Sequence, residues 1–136
     1  MKRFLSLALA IMLMLTFAAT VSAEQAVNPR YLYITETNTG IRLNSSTGAV
    51  ICEASARTQN NMEIQIECKL QRFNNSKWNN VKTWTASGTG SASISKSWSV
   101  PGGYDYRIYA TYKVYDSNGN CVETVNRQDS VSVPAS

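Results

Sequence analysis

Three cysteines, a row of spaced carboxylates and a set of aromatic side chains are the residues of this chain whose types can do chemistry. An absence narrows that chemistry first. The 136 residues contain no His. This removes the commonest general base and the commonest metal ligand. Ser-His-Asp and Cys-His nucleophilic machinery is therefore excluded. The best-spaced carboxylates are Glu63 and Glu67, on either side of Gln65. Alternate strand residues lie ~7 Å apart, so these two stand ~13 Å apart. A glycosidase pair needs ~5–9.5 Å. They read as solvated sheet charge. Asp116, Asn118 and Asn120 are spaced like calcium-loop ligands, yet the Glu that closes an EF-hand is missing. A hairpin turn accounts for them better. No cofactor and no metal are expected, and the chain is not expected to be an enzyme.

The cysteines are odd in number. Cys52 and Cys68 fall on the apolar faces of two strands adjacent in sequence. A buried inter-sheet disulfide between them would add ~2–4 kcal/mol in an exported domain. Two buried free thiols acting as small hydrophobes fit the same pattern. Cys121 falls on the outer face just after a hairpin tip, as a free thiol.

On the outward parity stand Phe73, Trp78 and Trp84 from one hairpin, with Tyr109 and Tyr115 from a long strand. Flat rings flanked by polar groups suit stacking on sugars or docking of a protein hot spot. These five are the candidate ligand-binding residues. The same rings would also serve as cross-strand pairs that stabilise a solvent-facing sheet. A one-residue bulge would flip the parity and bury Trp78 or Trp84.

These side chains need strands to hold them. Residues 1–23 read as a secretory signal peptide: Lys2 and Arg3, an apolar run from Phe4 to Ala19, then Val21-Ser22-Ala23 at a cleavage site. The expected location is outside the cell, with no stable membrane insertion of the mature chain. Loss of Lys2 and Arg3 with the signal lowers the formal charge from +4 to +2. No Lys/Arg cluster remains, so nucleic acid is not an expected partner. Residues 24–30 are a polar lead-in, and residues 31–136 form one domain.

That domain has no helical period. Met62, Ile64, Ile66, Cys68 and Leu70 alternate with Glu63, Gln65, Glu67, Lys69 and Gln71, which predicts a half-buried strand. Tyr31–Thr37 with Ile41–Asn44 predicts an interrupted first strand, and Ala49–Arg57 the second. Asn74–Lys77 predicts a hairpin loop into a strand Trp78–Thr85, and Ser87–Ser91 a turn. Ser91–Val100 alternates serines with Ala92, Ile94, Trp98 and Val100, with Lys96 the exception on the apolar side. Tyr104–Tyr115 is a long strand, and Cys121–Asn126, continuing weakly through Val131 and Val133, closes the domain. Asp116-Ser117-Asn118-Gly119 suits a type I turn with a G1 bulge. That register sets Tyr115 beside Cys121, Val114 beside Val122 and Lys113 beside Glu123. About seven strands predict an all-β, immunoglobulin-like or fibronectin type III-like antiparallel sandwich. Val100–Tyr106 resembles the turn and tyrosine corner that precede the sixth strand of such domains.

Pro29-Arg30-Tyr31, Leu70-Gln71-Arg72-Phe73 with Lys77-Trp78, Trp84–Gly90, Tyr104-Asp105-Tyr106-Arg107 and Tyr112–Asn120 occur here in order. With the signal, this arrangement resembles an uncharacterised family of short secreted proteins of clostridial-type Gram-positive bacteria. The resemblance implies a habitat and no activity or site residues. The expected function is a secreted, noncatalytic binding module for a glycan, the cell wall or an extracellular protein. It is expected as a monomer or weak dimer. A bacteriocin-like effector is the alternative, and a wall-active enzyme a more remote one.

Overall fold

The computed structural model describes residues 31–136. The signal and lead-in expected at 1–30 lie outside the described residues. Seven strands follow in order: β1 (Ile34–Asn44), β2 (Ala49–Thr58), β3 (Glu63–Asn74), β4 (Lys77–Thr89), β5 (Ser91–Ser99), β6 (Tyr104–Tyr115) and β7 (Cys121–Val133). They pair antiparallel as two sheets, β1-β2-β5 and β4-β3-β6-β7. The expected all-β sandwich is what the chain forms. Its fourth strand stays beside the third, as in fibronectin type III-like domains. An antibody constant domain instead places that strand in the sheet of the first, second and fifth.

Period-two alternation builds the core. Ile64, Ile66, Cys68 and Leu70 of β3 are fully buried, as are Tyr106, Ile108, Ala110, Tyr112 and Val114 of β6. Val50, Cys52, Ala54 and Ala56 of β2 meet them from the other sheet. The two buried tyrosines need partners for their hydroxyls. Tyr112 donates to the Asn38 carbonyl at 3.0 Å and lies 2.6 Å from Thr39 Oγ1. Tyr106 donates to the Pro101 carbonyl at 2.6 Å, which is the expected tyrosine corner.

Several local expectations change. The first strand is continuous, with a bulge between Ile34 and Glu36. Gly40 does not interrupt it, because Gly40 pairs with Glu53 and keeps the ladder. The segment 87–91 is not a loop. β4 runs to Thr89, β5 begins at Ser91, and Gly90 is the single residue between them, where the chain passes from one sheet to the other. Gly90 has φ +78°, and a Cβ on Gly88 would come within 2.1 Å of the Ser91 carbonyl oxygen. Only glycines let the chain turn this corner. At the last hairpin Tyr115 pairs with Cys121 as expected, but Val114 pairs with Glu123 and Lys113 with Thr124. Val122 is an extra residue there. The bulge lets Val122 pack against the core while Glu123 takes the inward-facing position.

Glu123 has a task in that position. Its carboxylate accepts the backbone N–H of Leu32, Tyr33 and Ile34, the last at 2.9 Å. Asp129, further along β7, accepts the N–H of Ile41 at 3.1 Å. The open side of the sandwich, between β1 and β7, is thus closed by carboxylates rather than by a strand ladder. Lys96 is the matching device on the opposite side. It pairs with Cys52 in register, so it sits on the inward parity of edge strand β5, yet it is exposed. An inward-pointing charge on an edge strand blocks pairing with another chain.

Candidate functional site

The outer face of the four-stranded sheet collects polar and aromatic side chains from β3, β4, β6 and β7. Alternation dictates their placement. Gln71 and Phe73 are the outward partners of buried Leu70, and Arg107 and Tyr109 flank buried Ile108. The register sets Phe73 beside Trp78, Gln71 beside Asn80, and Arg107 beside Gln71.

Arg107 is the centre of this face. Its guanidinium carbon lies 4.5 Å from the Trp78 ring centroid and 5.4 Å from that of Tyr109. Its Nε–H donates to Gln71 Oε1 at 2.7 Å, and Nη1 donates to Gln128 Oε1 at 3.0 Å. Gln71 Nε2 in turn donates to Asn80 Oδ1 at 2.7 Å. One hydrogen-bonded row, Asn80–Gln71–Arg107–Gln128, therefore crosses all four strands. Phe73 packs against Trp78 with centroids 5.2 Å apart and planes tilted by 56°. Phe73 is 42% exposed, a large apolar surface left to solvent. Beside this cluster is an open cavity of about 330 Å³ lined by Trp78, Arg107, Gln128, Asp129 and Ser130. Further along the same face Gln65, Glu67, Thr85, Thr111 and Lys113 line a smaller one of about 150 Å³. Tyr115 borders that end, and its hydroxyl donates to Gln65 Oε1 at 3.1 Å.

Four of the five aromatic residues singled out from the sequence share this face: Phe73, Trp78, Tyr109 and Tyr115. Trp84 does not. It pairs with buried Cys68 and packs against the core, edge-on to Trp98 at 6.1 Å. The cause is a bulge in β4. Leu70 pairs with Lys82 and Gln71 with Asn80, which leaves Val81 extra and flips the parity beyond it. Arg107 shares the outward parity of Tyr109, but its clamp has no local sign in the sequence. Gln71 and Gln128 are 57 residues apart and carry no mutual signal.

The other candidates are elsewhere. Cys52 and Cys68 are free thiols, fully buried on the inward faces of opposite sheets. Burial pushes Cys52 up to about 11 and Cys68 to about 12, the latter raised further by the nearby Cys52. Such thiols are poor nucleophiles. Cys121 is exposed, with its sulfur 3.6 Å from the Glu123 carbonyl oxygen. Glu67 is paired with Lys69 at 3.4 Å. Asp116 Oδ1 accepts the N–H groups of Asn118 and Asn120, both at 2.9 Å, and so caps the hairpin. Among the described residues no group of three or more His, Cys, Asp or Glu side chains is gathered to hold a metal ion.

No protein-family model matches this chain, and no curated protein matches it. Similarity therefore transfers no activity to it.

Proposed function

We propose that this protein is a secreted, noncatalytic binding module that engages a glycan on the outer face of β4-β3-β6-β7. The observation that carries this is the cluster Phe73, Trp78, Arg107 and Tyr109, aligned by a row of side-chain amides on a rigid sheet. Amides offer both donors and acceptors to sugar hydroxyls, and an exposed ring suits the apolar face of a pyranose. Export, argued from residues 1–23, supplies the compartment in which such a ligand is met, and kinship with short secreted Gram-positive proteins belongs to the same proposal.

A glycan array probed with the mature protein and with a Phe73→Ala, Trp78→Ala double variant tests it. The wild type is expected to retain a subset of glycans that the variant loses. Binding by neither protein, or equal binding by both, overturns the proposal for this face.

A further inference from the structure

Two of the three ion pairs among the described residues lie on the outer face of β1-β2-β5. The third, Glu67–Lys69 at 3.4 Å, lies on the outer face of the other sheet, where Glu67 shares a cavity with Lys113. On the outer face of β1-β2-β5, acid meets base: Arg42 lies 2.9 Å from Glu53, and Arg57 lies 3.9 Å from Glu36. On the outer face of β6, Arg107 and Lys113 have no carboxylate within ion-pairing distance among the described residues. Both project from the same side of one strand, six residues or ~20 Å apart.

Arg107 is also held in one pose. Two ring contacts and two hydrogen bonds fix the guanidinium plane. Both bonds go to neutral amide oxygens, so its charge is oriented but not neutralised. A guanidinium has five N–H donors. Among the described residues, three of them, including both on Nη2, are left without a partner. A planar fork of this kind matches a carboxylate. Orienting it in advance removes the side-chain entropy that a free arginine loses on binding. Asp129 borders the same cavity, but its Oδ2 is turned to the Ile41 N–H.

We propose that this face takes an acidic glycan, with the Arg107 guanidinium bonding a sugar carboxylate and Lys113 meeting a second acidic group further along the chain. The inference rests on the glycan-binding reading above and specifies its ligand class. An acidic peptide is less well suited. β6 is hydrogen-bonded to β3 and β7 on its two sides, so it offers no free strand edge to a peptide backbone. The cavity beside Arg107 is lined mostly by polar groups and gives no closed apolar pocket for an anchor side chain.

The test uses polygalacturonate, its fully methyl-esterified form and poly-glutamate, beside an array of matched acidic and neutral glycans. Acidic glycans are expected to bind better than their neutral counterparts, with affinity falling as salt is added. Arg107→Gln is expected to weaken acidic binding roughly ten- to a hundredfold, as loss of a charge-assisted hydrogen-bond pair would. The loss is expected to be larger for acidic glycans than for their neutral counterparts, and Arg107→Lys should rescue only partly. Lys113→Gln, at an exposed position, keeps the test decisive if Arg107→Gln does not fold. Neutral glycans bound as well as acidic ones, with no effect of Lys113→Gln, overturn the acidic inference and leave the glycan reading standing. Poly-glutamate bound as tightly as the best acidic glycan overturns the ligand class. No glycan bound at all overturns both.

Discussion

Glu123 on β7 accepts the backbone N–H of Ile34 on β1 at 2.9 Å, across the open side of the sandwich. The same carboxylate also takes the N–H groups of Leu32 and Tyr33. An edge strand normally shows such donors to solvent or to another chain. Here one side chain satisfies three of them. Glu123→Ala is expected to cost ~1–3 kcal/mol, since partly buried donors are left unpaired. Urea denaturation measures it. An unchanged midpoint would show that this carboxylate does not secure β1.

The Tyr106 hydroxyl spans the turn before β6 to the Pro101 carbonyl. Tyr106→Phe keeps the buried ring and removes that bond together with the hydroxyl's interaction with the Arg72 side chain. The expected loss is ~0.5–1.5 kcal/mol, read from thermal or urea unfolding. A loss of ~3 kcal/mol or more would mean that the ring position depends on the hydroxyl.

The buried thiols set an alkaline limit. Desolvation raises Cys52 and Cys68 from 9.0 to about 11 and about 12 in the folded chain. Neutral thiols therefore favour the fold fully below the unfolded value. As pH rises from ~9 towards ~12, the unfolded chain ionises first and stability falls. The urea midpoint should drop across that window, and less steeply in a Cys52→Ala, Cys68→Ala variant. Buried Tyr106 and Tyr112, raised in the same direction, leave a residual slope. Oxidised protein carrying a Cys52–Cys68 bond has no thiols there to titrate, so the same series reports the redox state. Equal slopes for reduced wild type and variant would refute the assignment.

Lys96 guards an edge. It is exposed on β5 at a position whose parity faces inward. Lys96→Ile removes the charge and leaves a nearly neutral strand of serines and apolar residues, which is expected to promote association through β5. Sedimentation velocity of wild type and variant at equal concentration reads this directly. Identical profiles would assign the block to another feature, such as the exposed Trp98 and the Lys82 ammonium 4.8 Å from its ring.

The sandwich was legible because its signal is local. Strict alternation in β3 and β6, a turn at 116–119 and the approach to Tyr106 each need only a few consecutive residues. The outward positions of Phe73, Tyr109 and Tyr115 follow from the same period of two.

Bulges mark where local signals stop. Val81 and Val122 look like ordinary members of their strands, yet each is an extra residue without a partner in register. The first turns Trp84 inward, towards Trp98 on the other sheet. The second turns Glu123 towards β1. Both depend on groups far away in sequence.

The amino-acid sequence by itself determined the class of fold, the buried faces of the central strands and the absence of histidine chemistry. Only the tertiary structure decided that Trp84 turns inward and that Arg107 is clamped by Gln71 and Gln128. The physical reason is that a strand's period is written in neighbouring residues. A one-residue shift of that period, or a bond across four strands, is chosen by the fit of the whole sheet.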